Sequence, residues 1–198
     1  MSNYLNIIGD RGNVLINDEY KNFMLSRKIK DITFSGYLAN GYKIVFDSDK
    51  EIPFIRLKSG GAVGAFIADG YLYISSHHLD GDIAKPKGTI TVDVYFLKEA
   101  VIEKCDNYGL ECRNADGKTV YHSNYKFVNF LDCTTENSKS YDKDIAVSFT
   151  VGNRDFITGE WALAFPNSKS FKRYASGPFA NKDTILPDAL SVIDIEGL

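Results

Sequence analysis

The residue types able to do chemistry are few and mostly scattered. His77-His78 with Asp80 and Asp82 is the one cluster of metal-ligand types. Adjacent histidines in an extended chain point to opposite faces, and a zinc site needs three or four converging ligands, so the cluster reads as a solvated loop and no metal is expected. Ser59-Gly60-Gly61-Ala62-Val63-Gly64 has the glycine density of a phosphate-cradling loop. That chemistry requires a helix N-terminus facing the anion, whereas Phe66-Ile67-Ala68 runs at once into another turn; a bulge or tight sheet corner is expected instead. No Gly-x-Ser-x-Gly elbow occurs, and no cysteine stands at a family-like spacing from His122. Glu160 beside Trp161 is the most tempting carboxylate for glycoside chemistry, which needs a second acid about 5–9 Å away. Strand alternation accounts for the pair, with Trp161 inside and Glu160 outside. No catalytic residue and no cofactor is expected, and the chain reads as a non-enzyme.

The tyrosines are more informative. On outward faces of adjacent strands, Tyr71, Tyr73 and Tyr95 would form an amphipathic strip suited to a protein interface or to stacking on sugar rings. The segment from His77 to Gly88 contains two glycines, a proline and mixed charge, and reads as a long loop. The candidate contact surface is therefore Tyr71, Tyr73, Tyr95, His77 and His78, with a second polar loop from Thr134 to Asp144.

The elements that must position these residues are strands. The stretch from Asn107 to Lys126 repeats the pattern of Asn3 to Lys21: Leu110 matches Leu5, Gly117 matches Gly12, Tyr125 matches Tyr20 and Lys126 matches Lys21. Each copy reads as a β-hairpin whose Asp116-Gly117 or Arg11-Gly12 supplies the glycine a tight turn needs. Between the copies, Asn40-Gly41 predicts a hairpin joining strands at 31–35 and 42–46, and Asp69-Gly70 predicts another. Pro53 suits a strand start or sheet edge. Ile90, Val92, Val94 and Phe96 alternate with Thr89, Thr91, Asp93 and Tyr95, the most regular strand pattern present, expected to close the first module's sheet. Further strands are expected at 145–151, 160–165 and 190–195, and only Asn167 to Ser176 could form a helical turn or two. The fold class is all-β: two tandem sandwich-like modules with little helix, residues 1–98 and 99–198, the second a hairpin-level repeat of the first.

Composition agrees. With 13 Phe and 12 Tyr against one Trp, the chain leans to sheet. A net charge of -3 with charges interspersed lacks the basic face that nucleic-acid binding requires. No apolar stretch is long enough to span a bilayer, and the N-terminus lacks a signal-peptide pattern; synthesis in the cytoplasm without membrane insertion is expected. Cys105, Cys112 and Cys133 form no Cys-x-x-Cys pair and are expected as reduced, half-buried thiols, although Cys105 and Cys112 flank a hairpin start and could meet across it.

Tyr108-Gly109-Leu110-Glu111, Asn114-Ala115-Asp116-Gly117-Lys118 and Ser123-Asn124-Tyr125-Lys126 together resemble a pattern in structural proteins of tailed bacteriophages, where it recurs, sometimes twice in one chain. The N-terminal copy departs from it: Tyr4-Leu5 lacks the glycine, and Asn17-Asp18-Glu19 replaces His122-Ser123-Asn124. The resemblance implies a tail-tip or tail-fibre-associated virion component, built in the host cytoplasm and then incorporated into the tail. It implies no catalytic residues. Its partners would be other virion proteins or further copies of itself, in a symmetric assembly. The alternative is a carbohydrate-binding module that reads a host surface glycan.

Overall fold

The computed structural model describes residues 7–8, 14–16, 22–37, 40–81, 83–86, 88–102, 109–114, 116–149, 160–176 and 190–198. Strands dominate throughout. A short hairpin of β1 (Ile7–Ile8) and β2 (Val14–Ile16) comes first. Then follow β3 (Phe23–Phe34), β4 (Tyr42–Val45), β5 (Glu51–Ser59), β6 (Ala62–Ala68), β7 (Tyr71–Asp80), β8 (Ile83–Pro86) and β9 (Ile90–Glu99). A second short hairpin, β10 (Glu111–Arg113) and β11 (Thr119–His122), precedes β12 (Phe130–Thr134), β13 (Ser138–Ser140), β14 (Ile145–Phe149), β15 (Glu160–Asn167), β16 (Ser170–Ser176) and β17 (Leu190–Asp194).

Two sheets pack face to face, as the all-β sandwich expectation requires. The first has the order β3-β9-β5-β14-β17-β12, the second β4-β7-β6-β15-β16-β13, with β8 bridging β7 and β16. Strands before and after residue 100 thus contribute to both sheets. One core lies between the sheets. It takes Ile55, Leu57, Val92, Val94, Val147 and Val192 from the first and Ile44, Val63, Leu72, Ile74, Leu163 and Phe171 from the second. The alternation expected in β9 is observed: Ile90, Val92, Val94 and Phe96 all enter this core. β9 does not close a sheet, however; it lies between β5 and β3.

Each sheet also folds over on its outer side. On the first, Phe54, Tyr95, Leu97, Ala146 and Ile193 are covered by Val128 and Ile195, and the Val128 N–H donates to the Phe23 carbonyl of β3 at 2.8 Å. On the second, β8 pairs antiparallel with β7 and parallel with β16. The circuit β6-β7-β8-β16-β15 therefore closes on itself. A ring of so few strands encloses little volume. Ala62, Ala84, Ala162 and Ala164 form a buried cluster on these strands, with Tyr174 packed against it, and buried His77 lies opposite Ala62 on the same face.

Several sequence expectations are corrected. Asn40-Gly41 joins strands of different sheets, because the chain crosses over after β3: Gly36 is tied to Ser76 of β7, its N–H donating to Ser76 Oγ at 2.7 Å. β3 pairs with β9, and β4 with β7. Residues 167–176 are no helix; Ser168 and Lys169 turn β15 into β16, with Asn167 Oδ1 accepting the Lys169 N–H at 2.8 Å. The presumed loop 77–88 is largely strand, since β7 runs on to Asp80 and returns as β8. The polar loop 134–144 contains β13. Leu5, Arg11, Gly12, Tyr20, Lys21, Asp82, Cys105, Tyr108 and the turn at 153–159 lie outside the described residues, as do the side chains of Glu160 and Trp161.

β3 is the long outer strand of the first sheet, and its ladder is broken twice, between Leu25 and Arg27 and between Ile29 and Ile32. Asp31 sits in the second irregularity at φ 58°, its N–H held by Asp93 Oδ1 at 2.9 Å and its carboxylate paired with Lys58.

Candidate functional site

The β6–β7 hairpin builds the aromatic surface. Asp69 and Gly70 have φ values of 51° and 74°, the two consecutive left-handed residues that a type I′ turn requires. The turn fixes the register, so Phe66 lies opposite Tyr73 and Ala68 opposite Tyr71. On the other side of β7, β4 sets Lys43 opposite Tyr73 and Val45 opposite Tyr71. Leu72 and Ile74 enter the core, so alternation sends Tyr71 and Tyr73 to the outer side.

There the rings are ordered by one another. Phe66 and Tyr73 stack with centroids 4.6 Å apart and planes 1° from parallel. Tyr71 lies 6.2 Å from Tyr73. Lys43 Nζ stands 3.6 Å from the Tyr71 centroid and 5.3 Å from that of Tyr73. An exposed cation over an aromatic face contributes about 0.5–1 kcal/mol, and an aromatic pair about 0.5–1.5 kcal/mol beyond its buried area. Val45 extends the patch to the sheet edge at 64% exposure.

Tyr95 is not part of this surface. It belongs to the other sheet and is 1% exposed, packed under Val128 and Ile195. Alternation correctly points it away from the central core, but the outer side of its sheet is roofed over. Burial raises its hydroxyl pKa.

His77 is not an exposed contact residue either. It is 0% exposed and its ring meets Tyr37 edge-on at 5.4 Å. Burial pushes its pKa down to about 4, opposed by a backbone hydrogen bond at Ala62 and reinforced by His78. Gly61 and Gly88 make this packing possible, since a Cβ on either would collide with the His77 backbone. His78 is exposed, so the two histidines are separated by the strand between them. Asp80 is paired with Lys85, and among the described residues no group of three His, Cys, Asp or Glu side chains could hold a metal ion.

Cys112 is buried and Cys133 exposed, both as free thiols. Burial, followed by the neighbouring Glu111, raises the Cys112 pKa, the reverse of the shift that arms a thiol. His122 is buried in β11, with Nδ1 accepting the Asn124 N–H at 3.3 Å.

Sequence reasoning found Tyr71 and Tyr73 but missed Lys43, Val45 and Phe66. Phe66 was accessible from the Asp69-Gly70 turn, which fixes it across from Tyr73. Lys43 and Val45 were not, because the Asn40-Gly41 reading paired their strand with the wrong neighbour. No protein-family model matches this chain, and no curated protein or solved structure matches it.

Proposed function

We propose that this protein is a non-enzymatic structural component of a tailed-phage virion, tail-tip or fibre-associated, that works by protein–protein contact in a symmetric assembly. The observation that carries the contact reading is the patch of Tyr71, Tyr73, Phe66, Lys43 and Val45 on the outer side of the second sheet, running to its β4 edge. Stacking on a sugar requires an open ring face. Tyr73 has Phe66 on one side and Lys43 on the other, because β7 lies between β6 and β4. Tyr73 thus presents its rim beside the Val45 methyl groups and the Lys43 ammonium group, which suits a protein interface better than a glycan platform. The sandwich does not itself demand these aromatics. In β16, Ser170 stands immediately before core Phe171, just as Tyr73 stands before core Ile74 in β7.

The test is light scattering of the full-length protein and of Tyr71→Ser/Tyr73→Ser across micromolar concentrations. The expected result is a discrete oligomer for the parent and a shift toward the 22.1 kDa monomer for the variant, with an unchanged β-sheet circular dichroism spectrum. An oligomer that survives the double substitution, or a parent that stays monomeric throughout, overturns the assignment.

A further inference from the structure

We infer that the chain is a two-fold dimer fused into one polypeptide, and that the seam where β5 meets β14 and β6 meets β15 is its subunit interface. The partner that interface fits is the other half, whether from the same chain or from a second copy.

The first observation is strand order. Read inward from its two edges, the first sheet runs β3, β9, β5 from one side and β12, β17, β14 from the other; the second runs β4, β7, β6 and β13, β16, β15. The strands 3, 4, 5, 6, 7, 9 and 12, 13, 14, 15, 16, 17 therefore take corresponding places in the same chain order. A short hairpin precedes each set. β8 alone has no counterpart among the described residues. Two sheets can be filled from one chain in many ways, and a sandwich requires only that apolar faces meet.

Register agrees pair by pair. At the seam Ile55 is opposite Val147. On their far sides Ile55 meets Val94 and Val147 meets Val192; Phe54 with Tyr95 is matched by Ala146 with Ile193, and Leu57 with Val92 by Phe149 with Leu190. The faces match as well, with Val94 and Val192 in the central core and Tyr95 and Ile193 in the outer cluster. In the second sheet the seam pair is Val63 with Leu163, and the flanking pairs are Val63 with Ser76 and Leu163 with Arg173.

That correspondence assigns Arg173 the place of Ser76, which can be checked against an unrelated feature. Both are buried polar residues within an otherwise apolar face. The Ser76 N–H donates to Gly36 O at 2.7 Å, from the crossover between β3 and β4; the Arg173 N–H donates to Asn137 O at 2.7 Å, from the crossover between β12 and β13. Ser76 Oγ donates to the Gly36 carbonyl and Arg173 Nη2 to the Thr134 carbonyl, so each side chain ties down the same crossover. A two-fold interface places the same patch against itself, as the two seam pairs do.

The proposal is tested by cutting the folded, full-length protein at a protease site introduced between Glu103 and Asn107. With the contact patch removed by Tyr71→Ser/Tyr73→Ser, Tm before cutting is independent of protein concentration. Afterwards both fragments coelute at the parental mass, and Tm falls by roughly 3–5 °C for each tenfold dilution, because the halves now obey mass action. A permuted full chain, opened at the same point and joined from Leu198 to Met1 by a long Gly/Ser linker, keeps the parental β-sheet spectrum and mass. Fragments that separate while each stays folded, a cut pair that loses its sheet signal at micromolar concentration, or a permutant that fails to fold overturns the proposal.

Discussion

His77 shows how one buried side chain writes itself into the acid stability of the protein. Its pKa is about 4 in the folded state, against an ordinary value of 6.5, because burial disfavours the imidazolium. The unfolded chain therefore takes up the proton first. The neutral ring's contribution is complete above pH 6.5 and is lost as the pH falls from there toward 4, up to about 3 kcal/mol. Asp31, Glu51, Asp80 and Asp132 are held below their usual range, so their losses come at lower pH. Urea midpoints between pH 7 and pH 4 are expected to drop more steeply in the parent than in His77→Gln, and equal slopes would refute this account. Nothing in the sequence marks His77 as buried. Asp, Gly and Pro nearby suggest a loop, whereas Gly61, between β5 and β6, and Gly88, between β8 and β9, approach its backbone so closely that a Cβ on either would collide with it.

At the scale of elements, the tightest constraint is the closed circuit of β6, β7, β8, β16 and β15. Ala162 is 0% exposed within the alanine cluster of this circuit, so Ala162→Leu is expected to destabilise the protein by about 1–3 kcal/mol through overpacking. Val45→Leu on the open face should stay within about 0.5 kcal/mol. Denaturant titration of the two variants checks both, and a neutral Ala162→Leu would mean that the circuit has room to spare. Individual strands were legible: β9 from alternation, the β6–β7 hairpin from Asp69-Gly70, and β17 from its apolar run. Their neighbours were not. A turn signal such as Asn40-Gly41 reports a local reversal, whereas the assignment of β3 and β4 to different sheets is decided by Gly36 binding Ser76 across the fold.

For the whole molecule, the decisive fact is that one central core draws residues from both sides of residue 100. The uncut protein should therefore melt in a single transition whose calorimetric and van't Hoff enthalpies agree; two resolved transitions would mean that the halves unfold separately. The sequence showed kinship most clearly between the short hairpins, since the rest retains pattern rather than identity. Phe54 stands where Ala146 does, and Ser76 where Arg173 does. The edge of the first sheet has a consequence of its own. β3 is twice interrupted and carries Arg27, Lys28 and Lys30, features that keep an incoming strand from extending a ladder. At that border an incoming copy finds no unbroken ladder to extend, so fibrils should not nucleate there even under crowding.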